Sequence, residues 1–288
     1  MIYLLLLLPV VFLFVAFFVN AALFRPQERP KVDLDGRAIR FRSGRNELAG
    51  YLWNEAGTRG LLILAHGMGT DVAYHLPEIR HFAAQGYKVF AFEYSGYRGS
   101  TGRFYGFPQT VRDLKNAIEY IDDGSLPVVL LGHSMGAYAV CAVQQCRRRP
   151  VWAVVAYAPF YAPDEAAAEV ARTATKHGRL LLCLIQPVQR LLFGKPLTAA
   201  AGLTDTPALI LQGSEDKEVT PDGCALYAHR AELAGAPVTF RLIDDPQSSG
   251  HMTVIRKAGS RCVNADTMQA VDAFLGARIP EAAPQEDI

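Results

Sequence analysis

Six short apolar runs, spread along the 288 residues, constrain this chain more than any other feature. They are Leu61–Ala65, Lys88–Phe92, Pro127–Leu131, Ala153–Tyr157, Ala208–Gln212 and Val238–Ile243. Runs of this length read as strands buried on both faces, the pattern of a parallel sheet covered by helices. The segments between them carry helical spacing. In Gln109–Asp122 the residues Val111, Leu114, Ala117, Ile118 and Ile121 fall on one face. Leu76–Gln85, Met135–Arg148, Gly223–Ala234 and Ala265–Leu275 are further helices by the same reasoning. Two alternating segments, Ala38–Ser43 and Leu48–Trp53, precede the series and are spaced as a β-hairpin. The expectation is an α/β fold: a mostly parallel eight-stranded sheet flanked by helices, with an antiparallel start.

One interval breaks the rhythm. About 50 residues separate Tyr157 from Ala208, too many for a bare loop. Glu165–Lys176 and Arg179–Phe193 both look helical, the second interrupted by Pro187. We read residues 160–206 as a helical cap inserted over one end of the sheet. The globular domain then covers residues 37–288, with a polar linker at 25–36 carrying Pro26 and Pro30.

Met1–Phe24 contains no charged side chain and as a helix would extend roughly 36 Å, enough for a hydrocarbon core of about 30 Å. It reads as a membrane anchor. A cleaved secretory signal is the rival, but no Lys or Arg precedes the run, and it exceeds the usual signal core. Arg25, Arg29 and Lys31 follow directly, which favours a cytoplasmic domain by the positive-inside rule. Secretion after signal cleavage is the alternative.

The remaining composition excludes several classes. With 29 basic and 28 acidic residues the net charge is +1, so no nucleic-acid partner is expected. Five scattered cysteines without a CxxC spacing argue against a disulfide scaffold or a structural zinc site. No cofactor and no metal is expected.

The chemistry-bearing residues sit at strand ends. The strand at Val128–Leu131 runs into Gly132-His133-Ser134-Met135-Gly136, and a helix follows. This G-x-S-x-G pattern in a strand-turn-helix context presents a serine hydroxyl above the sheet, where it can act as a nucleophile. A serine nucleophile needs a base, and the base an orienting carboxylate. Asp216 follows the strand Ala208–Gln212, and His251 lies in the loop after the last strand. Glu215, Asp222, Asp244 and Asp245 compete with Asp216 for its role. His75, His81, His177 and His229 fall in helical or cap segments. The oxyanion of acyl transfer needs two N–H donors. Met135 supplies one candidate, and Met68, in His66-Gly67-Met68-Gly69, the other.

His66–Gly69, Gly132–Gly136, Asp216 and His251, in this order on this strand pattern, resemble the α/β-hydrolase superfamily over roughly residues 37–277. The GHSMG elbow and HG-type loop are similar to the monoacylglycerol lipase and serine-aminopeptidase-like branch, and the leading anchor to membrane-tethered Bem46-like hydrolases. In the turn Glu93–Ser100, Ser95 and Arg98 stand where relatives usually carry Arg and Gly.

The resemblance implies a serine hydrolase. Arg179–Gly194 is rich in Leu, Ile and Val, and no acidic cluster awaits a substrate amine. An ester with an apolar acyl group is therefore expected, as a small molecule or a lipid. The alternatives are an amidase, thioesterase or aminopeptidase of the same fold, or a non-catalytic membrane-tethered binding module.

Overall fold

The computed structural model describes residues 2–26, 32–174, 178–260 and 262–279. A first helix, α1 (Ile2–Leu23), precedes the sheet. The hairpin β1 (Arg37–Ser43) and β2 (Asn46–Trp53) follows. Next come β3 (Leu61–Ala65), α2 (Leu76–Ala84), β4 (Lys88–Phe92) and α3 (Phe107–Ile121). Then β5 (Val128–His133), α4 (Met135–Ala142) and β6 (Ala153–Tyr157) build the centre. Helices α5 (Pro163–Ala174) and α6 (Gly178–Phe193) lead to β7 (Ala208–Gly213), β8 (Val238–Ile243) and α7 (Ala265–Gly276).

The eight strands form one sheet in the order β1-β2-β4-β3-β5-β6-β7-β8. β1 and β2 pair antiparallel, as do β2 and β4; every later pair is parallel. This is the mostly parallel eight-stranded architecture read from the sequence.

Period-2 alternation along each strand divides the core between the two faces. On β3, Leu61, Ile63 and Ala65 join the side covered by α3 and α4, with Val111, Leu114 and Ala117. Leu62 and Leu64 join the opposite side, beneath α2 and α7, with Ile79, Phe82, Val271 and Leu275. Each such Leu or Ile contributes about 1.5–3 kcal/mol by leaving water.

Two expectations are corrected. The strand β8 is an edge strand, and several of its residues are exposed, including Leu242. Its Thr239 and Arg241 fit a strand with only one neighbour. The helix expected over Gly223–Ala234 is instead a 3₁₀ segment, Leu226–Leu233, in which only Leu226 and Leu233 are buried. With so little packing to enforce the α period, the 3₁₀ rise of about 2.0 Å per residue lets a short connection reach the edge strand.

The segment between β6 and β7 carries two helices, as expected. The end of the helix expected at Lys176 lies outside the described residues, as do positions 27–31 of the expected linker. Helix α6 turns Ile185, Val188 and Gln189 inward, while Leu191 is 73% exposed. Arg190 ties it to Asp164 of α5 at 3.0 Å, and Gln189 donates to the Tyr105 carbonyl at 3.2 Å.

Helix α1 does not stand apart. It packs along α6, burying Ala16 and Asn20, and Phe24 meets Phe104 and Phe107 edge-on. Among the described residues no helix is long and apolar enough to cross a membrane. The side chains of α1 are described from Leu7, and Leu7–Leu23 rises about 25 Å against about 30 Å of hydrocarbon.

Candidate active site

Parallel pairing of β3 with β5, β5 with β6 through β7, and β7 with β8 brings their carboxyl ends to one edge of the sheet. The four chemistry-bearing segments leave from that edge, where open α/β sheets bind their ligands. Ser134 sits between β5 and α4 with φ 54° and ψ −115°, a left-handed conformation costly for a residue with a Cβ. The chain holds it there by backbone bonds. The Ser134 N–H donates to the Tyr157 carbonyl at 2.8 Å, and its carbonyl accepts from the Tyr138 N–H at 2.9 Å. The turn closes only with glycine at 136, where a Cβ would run into the Ala65 carbonyl.

Asp216 and His251, 35 residues apart, are brought together. His251 Nδ1 donates to Asp216 Oδ2 at 2.8 Å, with both residues buried. The other carboxylate oxygen accepts the N–H groups of Glu218 and Val219, each at 2.9 Å, and Gln212 donates to Oδ2 at 3.3 Å. A carboxylate satisfied on every side is a fixed acceptor. It therefore holds the proton on Nδ1 and leaves the Nε2 lone pair free to take another.

His251 Nε2 lies 3.8 Å from Glu218 Oε2, on a side chain 69% exposed. No hydrogen bond joins Ser134 Oγ to His251 Nε2 in the structure. The two residues are linked through His133, whose ring centroid is 4.8 Å from that of His251. Catalytic hydrogen bonds are often long before substrate binds.

The expected oxyanion donors flank the serine. Met135 is the first residue of α4, so its N–H has no intrahelical acceptor. Met68 is 49% exposed, in a turn where Thr70 donates its N–H and hydroxyl to the Gly67 carbonyl at 3.3 and 2.9 Å. Gly67 rests against the elbow: a Cβ there would lie 3.4 Å from Ser134 Cβ.

The rival groups have other employment. Asp245 accepts from Ser248 in the loop ahead of His251. His229 stacks on Tyr161 at 3.7 Å, between Glu165 and Glu232. His81 meets Asp272. Among the described residues no group of His, Cys, Asp and Glu is placed to hold a metal ion.

Sequence reasoning missed three features of this region. Glu218 follows Asp216 by two residues, a proximity that could have marked it. His66 Nε2 lies 3.3 Å from Glu93 Oε2 in full burial. The unusual residues of the turn after β4 are structural: Arg98 pairs with buried Asp71 at 3.2 Å, and the Ser95 N–H donates to Asp113 at 2.9 Å.

Behind the elbow, burial holds His75 and His133 below the ordinary histidine range, His133 far below it. For His133, neighbouring His251 adds to the effect. The unfolded chain then binds protons near pH 6.5 that the folded chain refuses. Stability is accordingly expected to fall as pH drops below about 6.5, by up to about 1.4 kcal/mol per pH unit for each histidine. Urea unfolding at pH 7.5 and 5.5 measures this, and H75F should flatten the dependence.

Comparison with known proteins agrees with this fold. A serine aminopeptidase family model matches residues 56–193. The esterase Pf2001 of Pyrococcus furiosus superposes with a TM-score of 0.69 at 17% identity, covering 88% of this chain and 99% of the esterase. The chain has the α/β-hydrolase fold. It also resembles XC6422 of Xanthomonas campestris, described as an a/b serine hydrolase without lid. That match has a TM-score of 0.59 at 18% identity, covering 89% of this chain and 100% of the other. The enol-lactonase of Burkholderia xenovorans gives 0.58 at 19%, covering 82% and 99%. No curated protein matches in sequence.

Proposed function

We propose that this chain is a serine hydrolase that cleaves a carboxylic ester with an apolar acyl group through an acyl-enzyme. The observation that carries the reading is the 2.8 Å bond from His251 Nδ1 to Asp216 beside a serine held at positive φ on a strand-to-helix elbow. Ser134 Oγ attacks the ester carbonyl while its proton passes to His251 Nε2. The tetrahedral oxyanion accepts the Met68 and Met135 N–H groups, and Asp216 steadies the imidazolium. His251 then protonates the departing alkoxide as the C–O bond breaks. Water, deprotonated by the same nitrogen, releases the acid. The likeness to an esterase and an enol-lactonase supports the ester class.

A fluorophosphonate probe should label Ser134, and a panel of esters of rising acyl length should find turnover. Labelling at another residue, or turnover of amides alone, would remove the ester reading.

A second reading, an aminopeptidase, draws on one observation. The exposed Glu218 carboxylate faces the site beside His251 Nε2 and is placed to receive a substrate amine. Aminoacyl anilides with free and with acetylated amines separate the two. A preference of tenfold or more for the free amine, lost in E218Q, would favour the peptidase.

We further propose that residues 1–24 hold the domain at a membrane, with the catalytic part on the cytoplasmic side. Leu8, Val10, Phe14 and Phe18 of α1 are exposed, as are Leu191 and Leu192 of α6. Beside them lies a cleft of ≈330 Å³ between α3 and α6, whose rim carries Arg112, Lys115 and Lys195. An apolar face bordered by cations suits an anionic lipid surface. Because Leu191 and Leu192 are exposed, L191S/L192S should change stability by no more than about 0.5 kcal/mol. It should also keep kcat/KM on a soluble short ester and lose severalfold on long-chain esters in phosphatidylglycerol vesicles. Equal losses on both substrates would count against the membrane role.

A further inference from the structure

Three loops meet at one buried side chain that the mechanism does not use. His133 precedes Ser134 on the elbow and is only 2% exposed. Its Nε2 lies 3.0 Å from the backbone carbonyl of His251. A carbonyl only accepts, so Nε2 carries the proton and donates. The other nitrogen, Nδ1, has no hydrogen-bond partner among the described residues. It faces the loop after β3, where a Cβ at Gly67 would lie 3.0 Å away. The flat face of the ring meets the His251 imidazole at 45°. Elbow, Met68 loop and base loop therefore all touch this ring.

We infer that His133 is the positioning residue of the site, its Nε2–H fixing the backbone of the base while Asp216 fixes the imidazole. This rests on the serine-hydrolase reading above. Once the backbone and Cβ of a histidine are placed, its ring turns only about the Cα–Cβ and Cβ–Cγ bonds. Asp216 alone restrains His251 at one atom, Nδ1, and leaves the residue free to swing about that bond. A second tether at the His251 carbonyl fixes the backbone from which the ring hangs, and the bond to Asp216 then sets the ring's rotation. Both tethers are buried, so water does not compete for either. His133 can do this only as a neutral donor, and burial keeps it neutral. A charged ring there would repel the imidazolium that forms on His251 during turnover.

The test uses the full chain in detergent micelles on a water-soluble short-chain ester. H133F keeps a ring of similar size and removes the donor. It should fold, lower kcat by 30-fold or more, and leave KM within threefold, because substrate does not touch His133. Probe labelling of Ser134 should slow in parallel. If H133F fails to fold, two amides decide. Gln places its Nε2 about as far from Cβ as His does, whereas Asn stops one methylene short. H133Q should then exceed H133N in kcat by tenfold or more at matched melting temperature. Equal kcat in those two, or a folded H133F with wild-type kcat, overturns the assignment. Failure of the underlying reading looks different: the wild type itself would show neither ester turnover nor labelling at Ser134.

Discussion

Ser134→Ala is expected to lower kcat on an ester by roughly five to six orders of magnitude, because nucleophile and base act as one unit. The melting temperature should barely move. Ser134 engages its neighbours through its backbone, and its Cβ is retained in Ala. His251→Ala should cost about as much, and Asp216→Asn about 10⁴-fold through loss of the correct tautomer. His229→Ala is the control, since that ring is committed to Tyr161, Glu165 and Glu232. Steady-state turnover on one ester, normalised to folded protein, compares all four. A loss in His229→Ala as large as that in His251→Ala would mean the wrong base has been assigned.

Gly136→Ala should produce the largest fall in stability of any single methyl addition in the elbow. The added Cβ would collide with the Ala65 carbonyl oxygen and sit 2.7 Å from that of His66. Both are backbone atoms of the β3 end and cannot rotate away. Relief requires α4 to back off the sheet, where Ala137, Tyr138 and Val140 are fully buried. A cost of at least about 3 kcal/mol follows, which for a domain of this size lowers Tm by about 6–12 °C. Gly276→Ala offers the contrast. Nothing lies within 4 Å of its Cβ position at the end of α7, and the change should stay within about 1 kcal/mol. A Gly136→Ala protein that melts with the wild type would show that α4 does not approach β3 so closely.

The sheet was legible because each central strand is a run such as Leu61–Ala65, buried on both faces and flanked by helical spacing. Burial of that kind leaves few ways to place the residues. The edge was less legible: Val238–Ile243 was read as a strand, but its exposure depends on which neighbour it lacks, a property of topology. The 3₁₀ form of segment 226–233 was not legible, because the seven-residue spacing of Leu226 and Leu233 suits an α-helix, where the two share a face. That Asp216 and His251 meet was readable from order and motif. Their supports were not. The bond between His133 and the carbonyl of residue 251 spans 118 positions and involves a backbone atom, which carries no side-chain signature. Likewise, nothing in the apolar text of residues 1–24 announces that Ala16, Asn20 and Phe24 would be buried.

That last docking sets an order of events during synthesis. Helix α1 ends at Leu23 and its companion α6 begins at Gly178, so 178 − 23 = 155 residues separate them. At 5–20 residues per second the ribosome needs roughly 8–30 s to cover that distance. Throughout that interval α1 lacks its α6 companion, although its other partners, Phe104, Tyr105 and Phe107, are made earlier. The contact with α6 thus becomes available long after those with Phe104, Tyr105 and Phe107.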